Sequence, residues 1–168
     1  MSWSRRALLG RVALAGTAAI AGATLSACGF APVHGAGGAG TALRGQLRMP
    51  TPDAPDDFLL KQQIERRLGP PGDARFVLEA DLRIREDRVA VTSRNVAARI
   101  NLLGRVDYRL RDAASGALLR EGRVENFTGY STSGTTVATL AAARDARERL
   151  VVILGDQIVA RLLTDAPQ

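Results

Sequence analysis

One cysteine, one histidine and one lysine are all that this 168-residue chain holds of those three types. A structural zinc takes four nitrogen or sulfur ligands, and Cys28 with His34 makes two, so no such centre is expected. Without a second cysteine no internal disulfide can support the fold. Aromatic residues are 4% of the chain. That is too few for the stacking platforms that bind single-stranded nucleic acid, so nucleic acid is not an expected partner. A serine nucleophile needs a base beside it. The only histidine lies in a glycine-rich stretch, and in GYSTSG, Gly129 to Gly134, Ser133 stands where a nucleophile elbow has its last glycine. Ser131 and Ser133 therefore read as a loop capping the next helix. No enzyme, catalytic residue, metal or cofactor is expected. The uncharged run from Val12 to Leu25 is too short to span a bilayer, which takes roughly 20 apolar residues.

What precedes the cysteine is patterned. Arg5, Arg6 and Arg11 come without any acid, then the apolar run, then Leu25-Ser26-Ala27-Cys28. A basic head and a short apolar stretch ending in small residues is the layout of an export signal. Leu-Ser-Ala-Cys resembles a bacterial lipobox, in which the cysteine sulfur is lipidated and becomes the new N-terminus. Several acyl chains on one cysteine would anchor stably where a single chain would not. Gly29 follows in place of aspartate, which by the same resemblance implies sorting to the outer membrane. Ser4-Arg5-Arg6 also hints at twin-arginine export. The expected organisation is a signal peptide over 1–27, a lipidated tether over 28–42 and one domain over 43–168. Loss of the three arginines with the signal lowers the formal charge from +6 to +3.

The tether APVHGAGGAGTA carries Gly35, Gly37 and Gly40 in dinucleotide-fingerprint spacing, but no strand precedes it and no helix follows. Leu43 to Met49 reads as a short strand before Pro50, Pro52 and Pro55. Asp56 and Asp57 then offer an N-cap and favourable charge to a helix bearing Leu60, Ile64 and Leu68, which Gly69-Pro70-Pro71 stops. Strict alternation follows twice. Phe76, Leu78, Ala80, Leu82 and Ile84 share one phase; Ile100, Leu102, Gly104, Val106, Tyr108 and Leu110 share another. Ala113 to Gly116 turns the chain into a third strand through Leu118 to Tyr130, where Val124 and Phe127 fall out of phase and suggest a bulge. From Val137 a long helix carries Leu150, Leu154, Ile158 and Leu162 in one row. The sum is an α+β two-layer sandwich, two helices on one face of a roughly four-stranded, mostly antiparallel sheet. The segment Arg85 to Arg94 joins two strands and mixes Arg85, Arg88 and Arg94 with Val89 and Val91, a composition suited to an acidic lipid headgroup beside acyl chains. A plain strand extension reads equally well.

CGFAPVHG, Cys28 to Gly35, resembles the Cys-Gly-Phe-x-Pro start of the LptE family of lipopolysaccharide-assembly lipoproteins. RINLLGRVDYRLRDAASG, Arg99 to Gly116, is similar to the family's central hairpin. Tyr130 with its Ser/Thr loop, then Asp145-Ala146 and Arg149-Leu150, resemble its last strand and helix. The resemblance implies a non-enzymatic, lipid-anchored protein on the periplasmic side of the outer membrane. Its partners would be lipopolysaccharide and an LptD-like β-barrel, which it plugs and helps to assemble. Cys28 would carry the lipid. The alternative is a stand-alone lipoprotein that binds a lipid or peptidoglycan.

Overall fold

The computed structural model describes residues 42–91 and 97–164. Four strands, β1 (Leu47–Arg48), β2 (Phe76–Val91), β3 (Ala97–Asp112) and β4 (Leu118–Ser131), lie in the order β1-β2-β3-β4. The β1–β2 pairing is parallel and the other two are antiparallel. Two helices, α1 (Pro55–Leu68) and α2 (Thr136–Thr164), complete the sandwich that the alternation predicts.

Period two decides which face is covered. Leu78, Leu102, Val106, Tyr108, Leu110 and Val124 are buried in one cluster with Leu60 and Ile64 of α1 and Leu150, Leu154 and Ile158 of α2. The intervening residues of β2, β3 and β4 are largely charged and turn to the other face, which no helix covers among the described residues. Leu154 and Ile158 are fully buried, as their four-residue spacing predicts.

Glycines set how closely the layers approach. A Cβ at Gly104 would stand 2.7 Å from Leu154 Cδ1 and 3.0 Å from Leu150 Cδ2, so α2 rests directly on the β3 backbone. A Cβ at Gly155 would stand 2.9 Å from Gln63 Cγ, which lets α1 and α2 pack side by side. The two helices run parallel. Arg147 Nη1 bonds Asp56 at 2.6 Å near the start of α1, and Gln63 Nε2 donates to Asp156 Oδ1 at 2.8 Å further along both helices.

Local chemistry explains the ends. The hairpin between β3 and β4 turns on Asp112, whose Oδ1 accepts the Ala114 and Ser115 N–H groups and the Ser115 hydroxyl. Those bonds favour the carboxylate and hold the Asp112 pKa below its usual value. Gly116, at a φ of 71°, supplies the left-handed backbone that closes the turn. The cap of α2 is Thr135, one residue beyond the Gly129–Gly134 loop expected to supply it. Its Oγ1 accepts the Ala138 N–H at 3.2 Å.

Several expectations need correction. The N-cap of α1 is Ala54, with no side-chain cap bond, and Pro55 opens the helix; Asp56 and Asp57 sit in the first turn, where their charge is favourable and Asp56 accepts from Arg147. The strand proposed over Leu43 to Met49 shrinks to Leu47–Arg48. Gly45, at a φ of 68°, bends the chain before it, and Pro50 has no N–H to continue the ladder. The bulge lies at the hairpin end of β4, where Leu110 pairs with Arg120 and Arg111 with Leu118. From Arg120 to Ser131 the register is unbroken, so Phe127 is not displaced by a bulge: it is an apolar residue on the open face, 63% exposed.

Candidate functional site

The open face of the sheet is built as rows of cross-strand neighbours. One row runs Glu79, Arg109, Glu121; the next Asp81, Asp107, Arg123; the next Arg83, Arg105, Glu125. Opposite charges meet both across strands and along them. Arg123 Nε reaches Asp107 Oδ1 at 2.6 Å and Arg105 Nε reaches Asp107 Oδ2 at 2.9 Å. Arg111 Nε lies 3.2 Å from Glu79 Oε2, and Arg83 Nη2 bonds Asp81 at 2.5 Å. The bond from Arg123, seconded by Arg105, holds the Asp107 carboxyl below the usual range although partial desolvation opposes it. The ladder lines a concavity of about 730 Å³ across all three strands. Pairs this exposed contribute little each to stability. Their consequence is a polar, charge-balanced surface.

One row breaks the pattern. Leu103 pairs with Phe127 on β4 and with Arg85 on β2. With Arg83, Arg105 and Glu125 they line a second concavity of about 620 Å³, more apolar than the first. This pair was missed in the sequence because Phe127 falls in phase with Arg123 and Glu125. Phase alone, without an assumed bulge, would have put it on the wet face.

The structure separates the three arginines expected at a lipid or partner surface. β2 extends to Val91, so Arg85 and Arg88 belong to a strand, the second of the two readings open for that segment. Arg85 faces the open side beside Leu103. Arg88 pairs with Ile100, in the phase of the covered face, and a register shift follows it. Val89 is 54% exposed. Arg94 and the side chain of Val91 lie outside the described residues, as do the expected signal peptide over 1–27, Cys28 and the tether up to Thr41.

At that same end of the sheet, Glu86 follows the covered phase and lies 3.9 Å from Arg147 Nη2. Tyr130 stands nearby; burial raises its pKa, with Glu86 pushing in the same direction and Arg147 against it. Val137 and Leu140, 77% and 56% exposed, begin α2 there. The Ser131 and Ser133 hydroxyls bond one another at 2.8 Å. No group of three His, Cys, Asp or Glu side chains able to hold a metal occurs among the described residues. No helix among them is long and apolar enough to cross a membrane.

Comparison with known proteins adds three findings. The chain matches the family described as LptE, lipopolysaccharide-assembly, over residues 35–162. Among solved structures it is similar to a candidate lipoprotein from Caulobacter crescentus, at 30% identity and a TM-score of 0.59, over 77% of this chain and 94% of that one. Rare lipoprotein B from Shewanella oneidensis shares the fold at 13% identity and a TM-score of 0.55, over 71% and 92% of the two chains. A minor lipoprotein from Acinetobacter baumannii does so at 14% and 0.51, over 70% and 88%. Among curated proteins nothing matches.

Proposed function

The chain belongs to the LptE family of lipopolysaccharide-assembly proteins, and on that premise we propose that it is an outer-membrane lipoprotein that plugs an LptD-like β-barrel and assists its assembly. The barrel inserts lipopolysaccharide into the outer leaflet. The lipid would sit on Cys28 and hold the domain on the periplasmic side. The protein performs no chemistry of its own and needs no cofactor beyond that covalent lipid.

One observation carries the plug reading: among the described residues, helices cover a single face of the sheet and leave the other as a charge-balanced ladder. The lumen of a large outer-membrane barrel is polar. A surface of paired charges can meet such a wall without burying an unpaired ion, whose desolvation would cost several kcal/mol. Both concavities of this face are open strand surfaces, which suits docking better than enclosure of a lipid. Arg85, Arg88 and Arg94 are proposed to contact lipopolysaccharide or the barrel. Since Arg85 and Arg88 face opposite sides of β2, they would do so as two separate points.

Depletion of the protein tests this. Lipopolysaccharide should stop reaching the cell surface while its synthesis continues. Normal surface delivery in depleted cells would refute the assignment. The Cys28→Ala variant should lose its lipid, read by mass spectrometry of the mature N-terminus, yet keep part of its function through the barrel contact. An unmodified Cys28 in membrane-extracted parent protein would end the anchor claim.

A further inference from the structure

The row Arg85, Leu103, Phe127 is the odd one of the open face, with two apolar side chains of three. Phe127 is 63% exposed. An aromatic residue beside its cross-strand aliphatic partner makes a patch, which a singly scattered apolar residue does not. With Arg83, Arg105 and Glu125 the row lines the concavity of about 620 Å³.

The arginines around that concavity are not equivalent. Arg83 is held by Asp81, and Arg105 lies 2.9 Å from Asp107 and 4.0 Å from Glu125. Arg85 enters no ion pair among the described residues. Asp87 follows it in the same phase of β2 and forms no ion pair with it. One guanidinium with its donors unused therefore stands in line with two apolar side chains.

We propose that this row is the point that fixes how the chain seats in its barrel. It takes a lumen-facing Asp or Glu of the barrel on Arg85 and an apolar side chain of the same wall on Leu103 and Phe127. The inference rests on the plug reading and adds to it the chemistry of the wall. The argument is charge complementarity. Rows whose charges already cancel can meet a polar wall at many positions. Arg85 cannot, because a guanidinium pressed against the wall loses its hydration without return unless an acid replaces the water. Its planar fork matches a carboxylate with two parallel bonds. Leu103 and Phe127 gain instead by leaving water. Arginine and aromatic residues of this kind carry most of the energy in protein interfaces. Arg85 and Phe127 are two strand spacings apart, about 10 Å, so the acid and the apolar group are separate side chains. A lipopolysaccharide headgroup fits less well. It carries more than one phosphate and several acyl chains, whereas this row offers one unpaired cation on an open strand surface. Arg88, on the opposite face of β2, takes no part.

The experiment uses the full lipidated chain and the barrel that co-purifies with it, titrated in detergent. Arg85→Glu and Phe127→Ser should each weaken binding about tenfold or more. Arg66→Glu, an equal charge change on an exposed position of α1, should weaken it far less. Arg85 and Phe127 are exposed, so the variants should fold, which circular dichroism checks. The decisive step is rescue. Barrel changes that restore surface delivery of lipopolysaccharide in the Arg85→Glu strain should replace a lumen-facing Asp or Glu with Lys or Arg. Variants that bind like the parent, or rescue that never maps to a lumen acid, would overturn the proposal. So would a photoreactive residue at position 85 that captures lipopolysaccharide, or residues 1–41 of the same chain, in place of the barrel. A barrel captured from position 109 of the open face yet bound equally by both variants would overturn this docking point and leave the plug reading standing. Capture of no barrel from either position would overturn both.

Discussion

A methyl group added at Gly104 tests the contact on which the two layers depend. Its Cβ would stand 2.7 Å from Leu154 Cδ1, 3.0 Å from Leu150 Cδ2 and 3.1 Å from Leu150 Cγ. Both leucines have no exposed surface, so neither can swing into solvent. Overpacking of this kind costs about 1–3 kcal/mol, and Gly104→Ala should fall in that range. Leu154→Ala removes a fully buried side chain and should cost about 2.7–5 kcal/mol through lost transfer energy and the cavity left behind. The two losses should not add. In the double variant the new methyl group enters space vacated by Leu154, so its clash is relieved and part of the cavity is filled. We expect the double variant to be more stable than the sum by at least about 1 kcal/mol, within the range of coupling for residues in contact. Urea denaturation of all four proteins measures this, provided the m-value stays constant. Additivity within about 0.5 kcal/mol would mean that the two positions do not touch and that the described approach of α2 to β3 is wrong.

Further outcomes follow from the open face. Asp107 is held below its usual pKa by Arg123 and Arg105, so it stays charged in the folded chain where the unfolded chain would protonate. That contribution is present above the ordinary carboxylate range and is lost as pH falls through the lowered folded value; Asp107→Asn should therefore flatten the acid limb of the stability curve below about pH 4, and an unchanged limb would refute the ladder. Replacing Arg85, Arg88 and Arg94 together with serine should leave folding nearly intact and make lipopolysaccharide binding weaker and less salt-sensitive. Binding and rescue of a depletion strain equal to the parent would end the claim for those three residues.

Much of the architecture was legible because alternation is a local signal. Phe76 to Ile84 and Ile100 to Leu110 name two strands and the face each buries, and Ala113 to Gly116 names the turn. What failed was also local, but overridden. Asp56 could have capped α1, yet Pro55 starts the helix two residues earlier than such a cap would and leaves Asp56 inside its first turn. β1 stops after two residues, because a proline has no donor to offer. Phe127 was misplaced because an apolar residue out of phase suggests a bulge, when it can simply be exposed. The arginines teach a sharper lesson. Arg85 and Arg88 are near neighbours in the chain, but an odd offset in a strand points side chains to opposite faces. Once that segment is a strand, their separation follows from counting. The parallel run of α1 and α2, and the small surfaces at Gly104 and Gly155 that permit close packing, depend on contacts between positions far apart in the chain, which no local pattern records.

The most direct test of the barrel assignment is site-specific photo-cross-linking in cells, with a photoreactive residue in place of Phe127 on the open face and, as control, in place of Leu119 at the hairpin end. The account predicts that the Phe127 position captures an outer-membrane β-barrel protein, identified by mass spectrometry, and that the adduct disappears when that barrel is depleted. Capture of no barrel at Phe127, in cells where the protein is lipidated and functional, would contradict it.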